Sequence, residues 1–172
     1  MKKTFFITLT LITMIVLAAC TTKKDPDIHG YVLERINGNI FVVSKHAHDF
    51  SENGGVSEFY DAIVLDNAPS DVDVGHEVRV WYKGPVRESY PLGGSVGSLE
   101  IVEIAKPEGA NLTREEAIKK ALETIIESNF IAITEVEFDD QNHTWKISYK
   151  PIEYYEDEPP ELQIVEIEDS IS

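Results

Sequence analysis

The chain has 172 residues, and its 31 acidic side chains outnumber its 15 lysines and arginines, which gives a net charge of −16. Nucleic acid binding needs a stripe of basic residues that displaces counterions from phosphates, so this charge excludes nucleic acid as a partner. The single cysteine excludes an intramolecular disulfide. The length suits one ordinary domain or two small ones.

The N-terminus has the three-part layout of an export signal. Two lysines are followed by an uncharged apolar run over residues 4–17, and small residues end at Ala19, directly before Cys20. The run is shorter than the roughly 20 apolar residues that a membrane-spanning helix needs. The layout resembles a bacterial lipoprotein signal. The resemblance implies that residues 1–19 are removed by cleavage between Ala19 and Cys20, and that Cys20 carries fatty acyl chains such as palmitate.

Two or three acyl chains anchor a protein stably, because each buried methylene contributes about 0.8 kcal/mol. We therefore expect an extracytoplasmic protein held by lipid to the outer face of a bacterial cell membrane. Residues 20–28 are polar, contain Pro26 and lack an apolar period, which is typical of a tether between the lipid and a folded domain.

Residues 29–106 show strand patterns and no helical period. Two apolar runs flank Asn37-Gly38, and this arrangement predicts a β-hairpin, because a type I′ turn needs positive φ at both central residues. The predicted strands are residues 30–35, 40–44, 58–65, 76–82, 86–90 and 98–105, and the glycine-rich residues 93–97 are predicted to form a loop.

Five or six short antiparallel strands avoid exposed edges best by closing on themselves. We therefore predict a mainly β protein in which residues 29–106 form a small OB-like antiparallel β-barrel. A two-sheet sandwich is the alternative architecture.

The apolar period changes after a linker at residues 106–109. Thr113 and Glu116 form a capping box at the start of an amphipathic helix that is predicted to reach about Ser128. Strands are predicted at residues 131–138, 143–149 and 162–167, and the acidic, proline-bearing residues 151–160 join the last two. Residues 110–172 are thus predicted to be a small α+β module whose helix covers one face of a three-stranded sheet.

Several spaced strings in the first unit resemble the YobA-like family of exported Bacillus proteins. They are GYV at 30–32, IFVVS at 40–44, GG at 54–55 before EFYDAI at 58–63, VGHEVRVW at 74–81 and ESYP at 88–91. The resemblance implies an OB-like barrel in a Gram-positive envelope. It implies no activity, because the core domain of that family is catalogued only as a domain of unknown function.

The second unit is similar to PepSY-type modules of exported proteins. The similarity lies in residues 112–118 at the start of the predicted helix and in the hairpin residues 136–138 and 145–147. Some such modules accompany proteases as inhibitory segments. The resemblance therefore implies a regulator or inhibitor of an extracellular protease or wall enzyme.

The best metal-like cluster is His46-Ala47-His48-Asp49. On an extended segment, His46 and His48 point the same way, so two imidazoles could chelate one ion. Zinc needs three or four ligands, however, and nothing in the sequence places a third one beside them. Two solvated loop histidines are the other interpretation, and we predict no bound metal or other cofactor.

Three aromatic residues, Tyr60, Trp81 and Tyr90, are candidates for a binding surface, since OB-folds use one barrel face to bind ligands. At strand spacing the same residues could instead be core. Residues 93–97 match the motif G-x-S-x-G, but that motif works as a strained strand-to-helix turn in a large parallel sheet, which a barrel cannot provide. We therefore predict no catalytic residue.

The expected function is that of a non-enzymatic, lipid-anchored envelope protein that binds a partner or ligand. Its negative charge favours basic proteins or cationic ligands. The alternatives are regulation of an extracellular enzyme through the C-terminal module, and metal binding through His46 and His48.

Overall fold

The computed structural model describes residues 24–125, 130–152 and 161–171. Within them the chain forms a five-stranded barrel, then one α-helix and a three-stranded sheet. The elements are β1 (Ile28–Ile36), β2 (Asn39–Ser44), β3 (Ala62–Asp66), β4 (Glu77–Tyr82), β5 (Leu92–Ile101), α1 (Arg114–Thr124), β6 (Ile131–Asp139), β7 (Thr144–Pro151) and β8 (Gln163–Glu168). A single 3₁₀ turn, Ser51–Asn53, lies between β2 and β3. No helix in these ranges combines the length and the apolar character that crossing a bilayer requires.

The barrel closes in the strand order β1-β2-β3-β5-β4, with β4 paired back onto β1. The OB-like barrel predicted from the sequence is therefore confirmed, and the sandwich alternative is wrong. Neighbouring strands are antiparallel except β3 and β5, which run parallel with Ile63 opposite Leu92. The barrel interior is aliphatic and contains Ile28, Val32, Ile40, Val42, Ile63, Leu65, Val72, Val78 and Val80.

The predicted hairpin joins β1 to β2. Asn37 and Gly38 take φ values of 53° and 84°, as a type I′ turn requires, and Ile36 pairs with Asn39 across it. The Asn37-Gly38 sequence therefore determines both the turn and the register of β1 with β2.

The glycine-rich run at residues 93–97 lies inside β5, so the prediction of a loop there is wrong. A Cβ atom on Gly97 would lie 2.9 Å from the carbonyl oxygen of Trp81, so glycine lets the two backbones approach closely. The register of β4 and β5 also shifts between Trp81 and Tyr82, as at a β-bulge. The glycines thus serve strand packing rather than a flexible turn.

Other predicted boundaries shift as well. Residues 86–90, predicted as a strand, form only an isolated bridge between Arg87 and Gly93. The third strand begins at Ala62 rather than at residue 58, and β5 ends at Ile101 rather than at residue 105. Long-range pairing sets these limits, and local composition does not reveal it.

The helix begins with the predicted capping box. The backbone N–H of Glu116 donates to Oγ1 of Thr113 at 3.3 Å, and the N–H of Thr113 donates to Oε2 of Glu116 at 2.7 Å. The helix ends at Thr124 because Ile125 has extended backbone angles, so it is shorter than the predicted span. Residues 126–129 lie outside the described part of the chain.

The helix covers one face of the antiparallel sheet β6-β7-β8, as predicted. The core between them contains Leu112, Ala117, Ile118, Ala121, Ile131, Ile133, Trp145, Ile147 and Ile167. Tyr31, a residue of β1 in the barrel, is fully buried in this same core. The barrel and the α+β unit are therefore packed together through shared buried side chains.

Candidate functional site

A pocket of about 380 Å³ lies where the barrel meets the end of β7. Its floor is at the N-terminal ends of the parallel strands β3 and β5, because Ala62 and Leu92 are the first residues of those strands. We call it the aromatic pocket; it is lined by Val56, Glu58, Phe59, Tyr60, Asp61, Ala62, Ser89, Tyr90, Leu92 and Ile152. Ile152 follows β7, so both units contribute to the wall.

A continuous row of aromatic rings includes two that line the pocket, Phe59 and Tyr90. The successive ring-centroid distances are 5.9 Å for His48 to Phe50, 5.8 Å for Phe50 to Phe59, 5.7 Å for Phe59 to Tyr90, 6.4 Å for Tyr90 to Phe130 and 5.5 Å for Phe130 to Phe41. All these separations are within the range of aromatic pairs that attract each other. The row starts at His48, on the loop after β2, and ends at Phe41 in β2, which contacts Phe130, the residue before β6.

Two carboxylates line the apolar pocket. The carboxylate of Glu58 accepts hydrogen bonds from Nζ of Lys150 at 2.6 and 2.8 Å, and the Asp61 carboxylate lies 2.8 Å from Nε2 of His48. The side chains of Glu58 and Asp61 both keep 30% of their surface exposed, so both can still meet a ligand in the pocket. The pocket therefore combines aromatic rings with two carboxylates, of which Glu58 is paired with Lys150 and Asp61 is bonded to His48.

The structure brings two of the three predicted aromatic residues together in this pocket. The Tyr90 hydroxyl donates to the carbonyl oxygen of Tyr60 at 3.2 Å, and Tyr60 is buried. Trp81 lies elsewhere on β4, where its indole N–H donates to the carbonyl oxygen of Lys24 at 2.8 Å. The predicted set of three is therefore not a single surface.

His46 and His48 have different neighbours. His48 bonds to Asp61, whereas the ring of His46 lies edge-on to His29 at a centroid distance of 5.9 Å. Within residues 24–125, 130–152 and 161–171, no three His, Cys, Asp or Glu side chains are grouped as a metal site would require. Cys20, which the sequence predicts to carry the lipid, and most of the acidic residues 151–160 lie outside the described part of the chain.

Sequence reasoning missed a buried charge cluster on the other side of the junction. Glu77, the first residue of β4, is 5% exposed and is surrounded by three basic side chains. Its Oε1 accepts from Nζ of Lys45 at 2.9 Å and lies 2.7 Å from Nε2 of His29, and its Oε2 accepts from Nη1 of Arg114 at 2.6 Å. Tyr31 donates to the same Oε2 at 3.2 Å and accepts a hydrogen bond from Arg114.

These surroundings set the protonation of the cluster. Burial by itself would raise the pKa of Glu77, but the hydrogen bond from Lys45 and the charges of Arg114 and Lys45 outweigh it and lower that pKa to about 2. Burial lowers the pKa of His29, although the bond to Glu77 opposes the shift. Burial raises the pKa of the Tyr31 phenol.

Strand alternation alone could have placed Glu77 on the outward face of β4, but not against its partners. Arg114 is 37 residues away in sequence and belongs to α1. The cluster therefore joins the two units, and only the tertiary fold shows it. It connects the start of α1 to the barrel.

Residues 29–103 match the model of a family described as a protein of unknown function, DUF3221. The match covers the barrel except Ile28, the first residue of β1, and includes every residue of the aromatic pocket except Ile152. Comparison with curated proteins and with solved structures gave no match.

Proposed function

We propose that this protein is a non-catalytic binding protein, held by lipid on Cys20 at the outer face of a bacterial cell membrane. Its aromatic pocket binds an apolar group that carries a neighbouring positive charge. The observation that carries the proposal is the pocket itself, in which aromatic walls and the carboxylates of Glu58 and Asp61 converge.

The size and lining of the pocket support a ligand site. A volume of about 380 Å³ falls within the range of roughly 300–1,000 Å³ that is usual for such sites, which are mostly apolar with a few polar groups. An aromatic ring or a branched aliphatic group fits this space.

The charge around the pocket supports a cationic neighbour to that apolar group. Carboxylates attract a cation, and the faces of Phe59 and Tyr90 attract it further through the ring quadrupole. The net charge of −16 raises the local concentration of cations over the whole surface.

The assignment to the envelope rests on the sequence. The N-terminal layout around Cys20 supports acylation, and the resemblance of residues 30–91 to the YobA-like family of exported proteins supports a place in the envelope. Intact-mass measurement of the protein extracted from membranes tests the anchor. A chain that starts at Cys20 with added acyl mass is expected, and a chain that starts at Met1 with an unmodified thiol would overturn this part.

The ligand class is tested with three probes that share one ring. Phenethylamine, phenethyl alcohol and phenylacetate are titrated into the chain from residue 21 onward, and binding is followed by NMR shifts of Phe59 and Tyr90. We expect the amine to bind about tenfold more tightly than the carboxylate, because a charge contact near the protein surface contributes on the order of 1 to 4 kcal/mol. Equal affinity of amine and carboxylate, or shifts outside the pocket, would overturn the proposal.

A further inference from the structure

Among the described residues, strand β8 pairs on one side only. The sheet order is β6-β7-β8, and β6 packs beside β1 and β2 of the barrel. The outer side of β8 therefore presents a row of backbone N–H and C=O groups that can pair with another strand.

This edge lacks three of the features that commonly protect an open strand. Pairing of β7 with β8 is regular from Thr144↔Glu168 to Tyr149↔Gln163, whereas the pairs β1/β2, β4/β5 and β6/β7 each contain a register shift. The sequence of β8, QIVEIE, contains no lysine and no proline. Bulges, lysines and prolines are the common devices that keep edges from pairing.

The edge also carries apolar side chains that the core does not use. Ile167 of β8 is buried against α1, but Ile164 is 60% exposed and Leu162, just before the strand, is 55% exposed. Together with Ile171 at 77%, these are the three most exposed large apolar residues in the described ranges. All three lie between residues 162 and 171. Exposed apolar residues that have no function are usually scattered singly, so this grouping points to an interaction surface.

Acidic residues give this edge a charge preference. Glu166 and Glu168 share the face of Ile164, and Glu135 and Glu137 of β6 lie on the same face across the sheet. The only lysine between them, Lys146, is bonded to Asp139 at 3.0 Å. Opposite charges on facing strands stabilise pairing, and like charges oppose it.

We propose that β8 is a docking edge for an extended, basic segment of another protein, in which apolar and basic residues alternate. The segment adds a fourth strand to the sheet. It places apolar side chains beside Ile164 and basic side chains beside Glu166 and Glu168. Main-chain hydrogen bonds then supply affinity and alternate side chains supply selectivity. A second copy of this chain is a poorer occupant, because pairing β8 with itself would bring the Glu166 and Glu168 carboxylates of both copies onto one sheet face.

The test uses synthetic peptides about ten residues long, the upper length of common strands. One alternates lysine and valine, a second alternates lysine and glycine with the same charge, and a third alternates glutamate and valine. Binding is measured by calorimetry, and amide hydrogen exchange locates the site. We expect the lysine–valine peptide to slow exchange in β8 and to bind about tenfold more tightly than the lysine–glycine peptide.

Variants separate the edge from general charge attraction. The pair Ile164→Lys and Glu166→Lys is expected to remove binding of the lysine–valine peptide. The matched pair Glu34→Lys and Ile36→Lys makes the same changes on exposed positions of β1, and it should leave binding within about twofold. Should the β8 pair fail to fold by circular dichroism, Leu162→Lys alone serves as the test and should weaken binding.

Three results would overturn the proposal. The two lysine peptides could bind equally, both variant pairs could weaken binding equally, or exchange in β8 could stay unchanged on binding. Sedimentation of the peptide-free chain gives a further check. A dimer that the β8 pair dissolves would show that a second copy occupies this edge instead.

Discussion

The barrel meets the α+β unit at two places that are built in opposite ways. At the Glu77 cluster, a buried carboxylate is contacted by His29, Lys45 and Arg114. At the aromatic pocket, the lining is apolar and about 380 Å³ stays open. One junction is filled by the protein's own charges, and the other leaves room for something else.

The difference shows how one interface can be both fixed and receptive. A buried ion cluster tolerates little displacement, because any shift leaves a charge without a partner in a low-dielectric environment. An apolar pocket can accept a ligand without moving those charges. The cluster therefore fixes the relative position of the two units, and the wall that Ile152 adds to the pocket depends on that position.

Removing the Glu77 charge should have the largest effect on this arrangement. Glu77→Gln leaves Lys45 and Arg114 without their counter-charge, and we expect a loss of about 3 kcal/mol in the free energy of unfolding. Urea unfolding monitored by Trp fluorescence measures it. Glu34→Gln on the exposed part of β1 is the control and should change the value by less than about 0.5 kcal/mol. An equal effect of the two variants would mean that the cluster does not fix the junction.

The free energy of unfolding should fall as the pH is lowered, because protonation of Glu77 weakens the same junction. The folded-state pKa of Glu77 is about 2 against an ordinary 4.5, so its stabilisation is fully present above about pH 4.5 and is lost as the pH falls toward 2. The difference of about 2.5 pH units corresponds to about 3 kcal/mol. His29 acts in the same direction at higher pH, because its pKa lies below 6.5 and its protonation opposes folding. Urea midpoints between pH 2 and pH 7 should fall less steeply for Glu77→Gln than for the parent chain, and parallel curves would contradict this assignment.

Close packing at the filled junction can be tested at Gly75. A Cβ there would lie 2.4 Å from the carbonyl oxygen of Glu115 in α1, and the φ of 91° adds strain. Gly38 has a similar φ of 84° but no atom within 4 Å of its Cβ position, so Gly38→Ala isolates the strain. We expect Gly75→Ala to lower the free energy of unfolding by about 2 kcal/mol more than Gly38→Ala does. If thermal unfolding shows an equal loss of stability for the two variants, the start of α1 moves to make room for the added Cβ atom.

The helix start that carries Arg114 depends on its cap to a smaller degree. Thr113→Ala removes the hydroxyl that accepts from the Glu116 N–H, and we expect a loss of about 1 kcal/mol. Thr113→Ser keeps the hydroxyl and is the matched control. Both are compared by urea unfolding, and a full loss with serine would place the effect in the methyl group rather than in the cap.

The open junction should respond through binding and hardly through stability. Val56 lines the aromatic pocket and is 36% exposed, so Val56→Trp fills the space without disturbing the core. We expect a stability change below about 0.5 kcal/mol and loss of phenethylamine binding. Ile36→Trp, at an exposed position outside the pocket, is the control. Retained binding in Val56→Trp would mean that the ligand contacts another surface.

The sequence was informative where local chemistry decides the structure. The Asn37-Gly38 turn and the Thr113–Glu116 cap each depend on residues within three positions, and both are present. The glycines at 93–97 were misread because their role depends on β4, which approaches β5 only in the closed barrel. Of the candidate site, Tyr60 and Tyr90 were found from residue type. Their convergence with Ile152, and the bonds of Glu77 to Arg114, require the tertiary fold.

The burial of Tyr31 constrains how this chain can be divided. The ring sits in the core under α1, and its hydroxyl contacts Glu77, although both residues belong to the barrel strands. A shortened chain that stopped after residue 103 would present this ring and the carboxylate to water. The two units are therefore poorly suited to exchange with units of other proteins. A chain cut or recombined at residues 106–109 would need new residues to cover the exposed surface around Tyr31.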